Sequence, residues 1–198
     1  PMMVYAGQEL GEKAEDAEGF SGLDGRTTIF DYWSVPSLRR WMNGGKCNNE
    51  LLSDEEVRLR DTYKKVLNAA KSEPAISRGQ FFDVMYVNYN NPTLDPHRQY
   101  AYLRKDGDEV IVIVANFGAE ANCQIAIPQH AFDILHLEKG TYVATEIISG
   151  KRQKKTLSPD APFQTAVAAN SAAMWKIKLT RQNASPKKKS SIKGGRDK

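Results

Sequence analysis

Gln99-Tyr100-Ala101-Tyr102-Leu103-Arg104-Lys105-Asp106-Gly107-Asp108-Glu109-Val110-Ile111-Val112-Ile113-Val114-Ala115-Asn116 decides the fold of this chain. Residues 99–104 alternate with a period of two, so Tyr100 and Tyr102 fall on one face of a strand. Lys105-Asp106-Gly107-Asp108 supplies an Asp-Gly turn. Residues 109–116 return as a hydrophobic, β-branched strand.

The same period extends outward in both directions. Residues 81–87, 122–127, 141–148, 152–157, 163–167 and 172–179 read as further strands, with a short helical connection over 128–137 and a turn at Ser149-Gly150. Many short strands separated by turn signals predict a mainly β chain built on an antiparallel β-sandwich.

Upstream of Pro74 the period changes to 3.6. Ser53 is a good N-cap and Glu56, three residues later, completes a capping box. Leu59, Tyr63, Val66, Leu67 and Ala70 then recur at helical spacing, and Pro74 ends the helix. Residues 35–41 predict a short helix opened by Pro36 and broken at Gly44-Gly45. Residues 26–33 carry the β-branched and aromatic composition of a strand. Residues 2–6 predict a buried strand closing on Gly7-Gln8-Glu9, the look of the last strand of an α/β barrel at its active-site end. A complete barrel needs about 250 residues. The chain has 198. The expectation is a last barrel strand and helix from a truncated barrel over residues 1–73, a sandwich over 74–180, and a basic, disordered tail over 181–198. With no barrel to cover it, the segment from residue 1 to about residue 53 is expected to be poorly ordered or to borrow contacts from the sandwich.

Charge follows this division. Residues 185–198 hold six basic residues against Asp197, whereas the remainder holds 22 basic and 23 acidic residues. The basic character belongs to the tail, so a nucleic-acid partner for the folded body is not expected, and weak polyanion contact is left to the tail. No apolar run approaches the roughly 18 residues of a membrane span. Cys47 and Cys123, with His97, His130 and His136, lack metal-type spacing, so neither a zinc site nor a structural disulfide is expected.

Four stretches together resemble the carboxy-terminal third of the α-amylase family of glycoside hydrolases. Val4-Tyr5-Ala6-Gly7-Gln8-Glu9-Leu10-Gly11 is similar to that family's eighth-strand motif, and Phe30-Asp31-Tyr32-Trp33 comes after it at a matching distance. The capped helix resembles the barrel's last helix. Tyr102-Leu103-Arg104 and then the strand closing on Asn116-Phe117 resemble the hallmark strand pair of the family's eight-stranded antiparallel domain. The resemblance implies retaining hydrolysis of α-1,4-glucosidic bonds, with α-glucan or malto-oligosaccharide bound through the barrel. It implies that the catalytic acids sit on strands four, five and seven, outside this chain, so this chain carries no catalytic residue and alone is expected to be inert. Calcium, frequent in the family, has no motif here, and no cofactor is expected.

The substrate-binding candidates are Gln8, Glu9 and Arg26, as residues at or near the carboxy end of a barrel strand. Arg26 suits sugar hydroxyls or a bidentate carboxylate pair. Glu12, Glu15, Asp16 and Glu18 read as solvated loop charges. Tyr32, Trp33 and Trp41 suit sugar stacking or, more readily, packing. Arg104 is expected to pair locally. The alternative function is a non-catalytic carbohydrate-binding sandwich module, with Tyr86, Tyr89, Tyr100, Tyr102 and Trp175 as an aromatic platform.

Overall fold

The computed structural model describes residues 3–12 and 35–179. Among the described residues, eight strands form two sheets. They are β1 (Gln80–Asp83), β2 (Gln99–Asp106), β3 (Glu109–Asn116), β4 (Ala121–Ile125), β5 (Gly140–Glu146), β6 (Arg152–Leu157), β7 (Phe163–Val167) and β8 (Ser171–Lys178). Six lie in one sheet in the order β1-β2-β3-β8-β5-β6, and β4 pairs with β7 in the second. Every pairing is antiparallel. The hairpin of β2 and β3 has Gln99 opposite Asn116 and Asp106 opposite Glu109. Gly107 turns it at φ 56°, a conformation that glycine adopts without a Cβ penalty.

The two sheets face each other over one core. Val110, Val112 and Val114 of β3, Ala101 and Leu103 of β2, and Trp175 and Ile177 of β8 point inward against Cys123 and Ile125 of β4 and Phe163 and Val167 of β7. The Trp175 indole N–H donates to Thr165 Oγ1 at 2.8 Å, so the largest ring enters the core with its one polar atom satisfied. Trp175 is therefore sandwich core and no part of an aromatic platform. The Lys155 ammonium of β6 lies 4.1 Å from the centroid of one Trp175 ring and donates to the Gln164 carbonyl at 2.7 Å, fastening the edge of one sheet to the other.

Strand β3 is buried on both faces. Its outward Ile111 and Ile113 join Met174 of β8 and Ala75 in a second, smaller cluster. Ala75 belongs to α3 (Pro74–Ser77), which comes directly after the long helix α2 (Asp54–Ser72). Arg104 holds α3 down: Nε donates to Ala75 O at 3.1 Å and Nη2 to Ile76 O at 2.8 Å. Lys176 adds two bonds to the Glu73 carboxylate, at 2.8 and 2.9 Å. Arg104 thus pairs within the chain, with the α3 carbonyls.

Three further helices complete the described chain: α1 (Pro36–Met42), α4 (Met85–Asn88) and α5 (Gln129–Leu135). Among the described residues no helix is long and apolar enough to cross a membrane. Helix α4 corrects the strand expected over 81–87. Asp83 Oδ1 accepts from the Met85 N–H at 2.7 Å, and this side-chain turn ends β1 after four residues.

The opening segment also differs from expectation. Residues 3–5 carry no strand pairing, and Met3 is 84% exposed. A strand needs a neighbour to satisfy its backbone groups, and no described strand lies beside this one. The adjoining turn at Gln8–Leu10 is covered by α2 and not by the sandwich: Leu10 is buried to 1% exposure, and Gly11 lies against Leu59 of that helix. The strand expected over 26–33 and the tail beyond residue 179 lie outside the described residues.

Candidate functional site

The candidate residues Gln8 and Glu9 form a single turn of 3-10 helix, Gln8–Leu10, bracketed by Gly7 at φ 82° and Gly11 at φ 72°. Both glycines stand in the left-handed region, where a side chain is strained. Gly7 is doubly required, because a Cβ there would meet the Glu12 Cβ at 2.9 Å. Gln8 folds back on the chain. Its Oε1 accepts from the Tyr5 N–H at 3.0 Å, and its Nε2 donates to the Tyr63 hydroxyl of α2 at 2.9 Å. Both ends of this amide are used to orient the turn on the helix. Glu9 is half-buried in the same turn. Arg26 lies outside the described residues, as do Tyr32 and Trp33, so the structure unites two of the three binding candidates.

Glu12 is the functional-looking residue that its sequence context hid. It reads as a solvated loop charge, yet its carboxylate accepts from Ser37 Oγ at 2.6 Å and from the Ser37 N–H at 3.2 Å. It therefore caps the start of α1, where an acidic group complements exposed backbone donors. The partner lies 25 residues away, so local spacing carries no sign of it; Ser37 directly after Pro36 at a helix start was the one available signal.

Between this turn, α1 and the start of α2 runs an open groove of about 770 Å3. Glu12, Arg40 and Glu56 line it together with Leu10, Leu52 and Leu59. Arg40 makes a salt bridge with Glu56. Glu56 also completes the capping box, accepting from the Ser53 N–H at 2.7 Å while its own N–H donates to Ser53 Oγ at 3.3 Å. The Arg40 guanidinium holds the Glu56 carboxyl below the usual carboxylate range. Trp41 stands beneath the Arg60 guanidinium, 5.1 Å from ring centroid to cation, so it packs here rather than presenting a bare face.

Chemically the groove is an organised, largely committed set. Glycoside hydrolysis needs two carboxyl groups on opposite sides of one bond, about 5–5.5 Å apart for retention. Glu12 is bound to Ser37, and Glu56 is bound to Arg40 and Ser53. Among the described residues no group of His, Cys, Asp and Glu is arranged to hold a metal ion. Cys47 is exposed and Cys123 buried, both as free thiols. The geometry holds the Gln8 turn and α1 against the start of α2.

No protein-family model matches the chain, and no curated protein matches it. Solved structures do. The chain is similar to AmyP in complex with maltose, at 13% identity and a TM-score of 0.48 over 71% of this chain and 24% of that one. It is similar to an α-amylase from Geobacillus thermoleovorans complexed with acarbose, at 14% identity and a TM-score of 0.44 over 66% of this chain and 24% of that one. A trehalose-6-phosphate hydrolase from Bacillus licheniformis aligns at 21% identity and a TM-score of 0.39, over 61% of this chain and 18% of that one. The chain spans about a quarter of the length of these structures, or less.

Proposed function

We propose that this chain is the carboxy-terminal part of an α-glucan-active glycoside hydrolase of the α-amylase family. In the full-length parent the reaction is retaining hydrolysis of α-1,4-glucosidic bonds. Residues 1–73 are the last strand, loop and helix of its barrel, residues 74–180 its antiparallel domain, and residues 181–198 a basic tail. Substrate, an α-glucan or malto-oligosaccharide, binds through the barrel.

One observation carries the reading. The Gly7-Gln8-Glu9 turn is fastened to a capped 19-residue helix, and that helix runs through α3 into a sheet whose Arg104 grips the α3 carbonyls. Three of the four stretches that carry the resemblance in sequence meet here in chain order, and the fourth, Phe30 to Trp33, lies outside the described residues. Helix α2 adds support. Its stripe of Val57, Leu59, Tyr63 and Val66 is only half-buried, and Ala69 alone on the helix is fully covered. A helix with an apolar stripe of that length is ordinarily stabilised by packing it against a larger body.

In this reading Gln8 and Glu9 stand at the rim of the sugar cleft, with Arg26 nearby. Gln8 fixes the orientation of the turn through Tyr5 and Tyr63, and Glu9 faces the cleft. The chain alone supplies no catalytic carboxylate. Release of reducing sugar from soluble starch tests this directly. The full-length parent is expected to turn over and the 198-residue chain to show none; turnover by the chain alone overturns the proposal.

A further inference from the structure

Strand β4 pairs with β7 alone, so its other side is an open pairing edge. In an antiparallel ladder alternate residues turn both backbone groups toward the same edge. Gln124, and Ala126 just past the strand, turn theirs away from β7, and all four groups are taken by side chains. The Gln124 N–H donates to Thr93 Oγ1 at 3.0 Å, and its carbonyl accepts from Asn91 Nδ2 at 2.6 Å. The Ala126 N–H donates to Asn88 Oδ1 at 2.9 Å, and its carbonyl accepts from Asn88 Nδ2, also at 2.9 Å. A carboxamide carries a donor and an acceptor side by side, as a peptide group does. Asn88 therefore stands where the peptide of a neighbouring strand would.

The three side chains are fixed by one another. Asn88 is fully buried at the end of α4, and its Nδ2 also donates to Val84 O at 2.7 Å. Asn91 Nδ2 donates to Asn88 Oδ1 at 2.9 Å. Asn91 Oδ1 accepts from the Thr93 N–H at 2.9 Å and from the Thr93 hydroxyl at 2.8 Å. The hydroxyl hydrogen is thus spent on Asn91, and the hydroxyl oxygen is left to receive Gln124. A polar network with every member satisfied is rigid. Val84 and Leu94, both buried in the main core, anchor the segment on either side.

We propose that residues 88–93 form a side-chain strap that keeps β4 closed to strand pairing, and that the edge beneath it fits β4 of a second copy of this chain. The strand itself selects that occupant. Residues 121–126, Ala-Asn-Cys-Gln-Ile-Ala, hold no charge and no proline, so nothing along them repels an identical strand or withholds a donor from it. A two-fold axis at Gln124 sets Gln124 of the two copies opposite each other and Asn122 of one opposite Ala126 of the other. That contact is antiparallel and isologous. The four groups now held by Asn88, Asn91 and Thr93 would find backbone partners in it. Strap and second copy therefore compete for the same donors and acceptors, and only one of them can be seated.

Sedimentation velocity of the whole 198-residue chain carrying Asn91→Ala and Thr93→Val tests this, with Asn88 left in place to hold the buried end of the segment. The double variant is expected to show a concentration-dependent dimerisation that the unaltered chain lacks. Hydrogen exchange at the Gln124 amide should rise about tenfold in dilute solution, the scale of one or two lost hydrogen bonds, and slow again as the dimer forms. Gln124→Lys added to the double variant sets two cations face to face at the axis and should restore the monomer. Where the double variant loses its circular dichroism spectrum, Thr93→Val alone, which removes the acceptor for the Gln124 N–H, is expected to give a weaker dimer of the same kind. A folded variant that stays monomeric while Gln124 exchanges fast at every concentration overturns the proposal, as does a dimer that Gln124→Lys leaves intact.

Discussion

At the scale of single residues, backbone geometry and buried charge make opposite demands that mutation can separate. Gly7 has no substitute, because φ of 82° and a 2.9 Å approach to Glu12 Cβ both exclude a side chain. Gly7→Ala is expected to cost more than about 1 kcal/mol in urea unfolding. Two glutamates titrate in opposite senses. The Arg40 guanidinium depresses the Glu56 pKa, so the stability from that pair is present above the unfolded carboxylate value and is lost as pH falls through the folded one. Burial raises the Glu109 pKa, although its Oε1 accepts weakly from the Ala75 N–H. Its contribution is therefore largest in acid and is lost as pH rises through the folded value. Melting temperature measured from about pH 3 to about pH 8 should show it. Glu56→Gln is expected to lose stability at neutral pH and little at the acid end, whereas Glu109→Gln should be neutral or stabilising at neutral pH. A loss at neutral pH for Glu109→Gln would show that its ionised form is needed where it stands.

At the scale of elements, the helix cap and the arginine clamp act on different joints. Ser53→Ala removes half of the capping box and is expected to cost about 1 kcal/mol, with reduced helical signal in far-UV circular dichroism. Arg104→Ala strips two charge-assisted bonds from the α3 carbonyls, and a cost of roughly 1.5–3 kcal/mol is expected. Hydrogen exchange should place the loosening at α3 and leave the β4–β7 pair protected; uniform loss of protection would mean that Arg104 supports the sheet itself. The bounds of β3, β6 and β7 were legible from residue pattern alone, because their burial tracks a pattern their side chains already display. The end of β1 was not, since Phe81 to Val87 is apolar throughout apart from one aspartate, and that aspartate turns the chain. Glu12 was illegible for a different reason. Its meaning depends on Ser37, which only the folded turn brings near. Trp175 and Tyr100 look alike in sequence as platform aromatics, although one lies on the inner face of the sheet and the other on the outer, a distinction that register alone makes.

At the scale of the whole molecule, the two sheets close around one core while the helical unit is held to the outer face by α3, Arg104 and Lys176. Removing residues 185–198, which carry the excess positive charge, is expected to abolish retention on heparin at low salt while leaving the melting temperature unchanged. Persistent retention would place a cationic surface on the body. The sheet order has one more consequence. Strand β6 closes one side of the six-stranded sheet, and Lys151, Arg152 and Lys154 stand at and along it, while Lys155 is committed to Gln164 and Trp175. A second molecule offering the same border would bring the same row of cations to within a strand's width, about 4.8 Å. Like charges at that spacing repel. Lys151, Arg152 and Lys154 thereby act as a fence against polymerisation, keeping neighbouring copies from stitching their sheets into one.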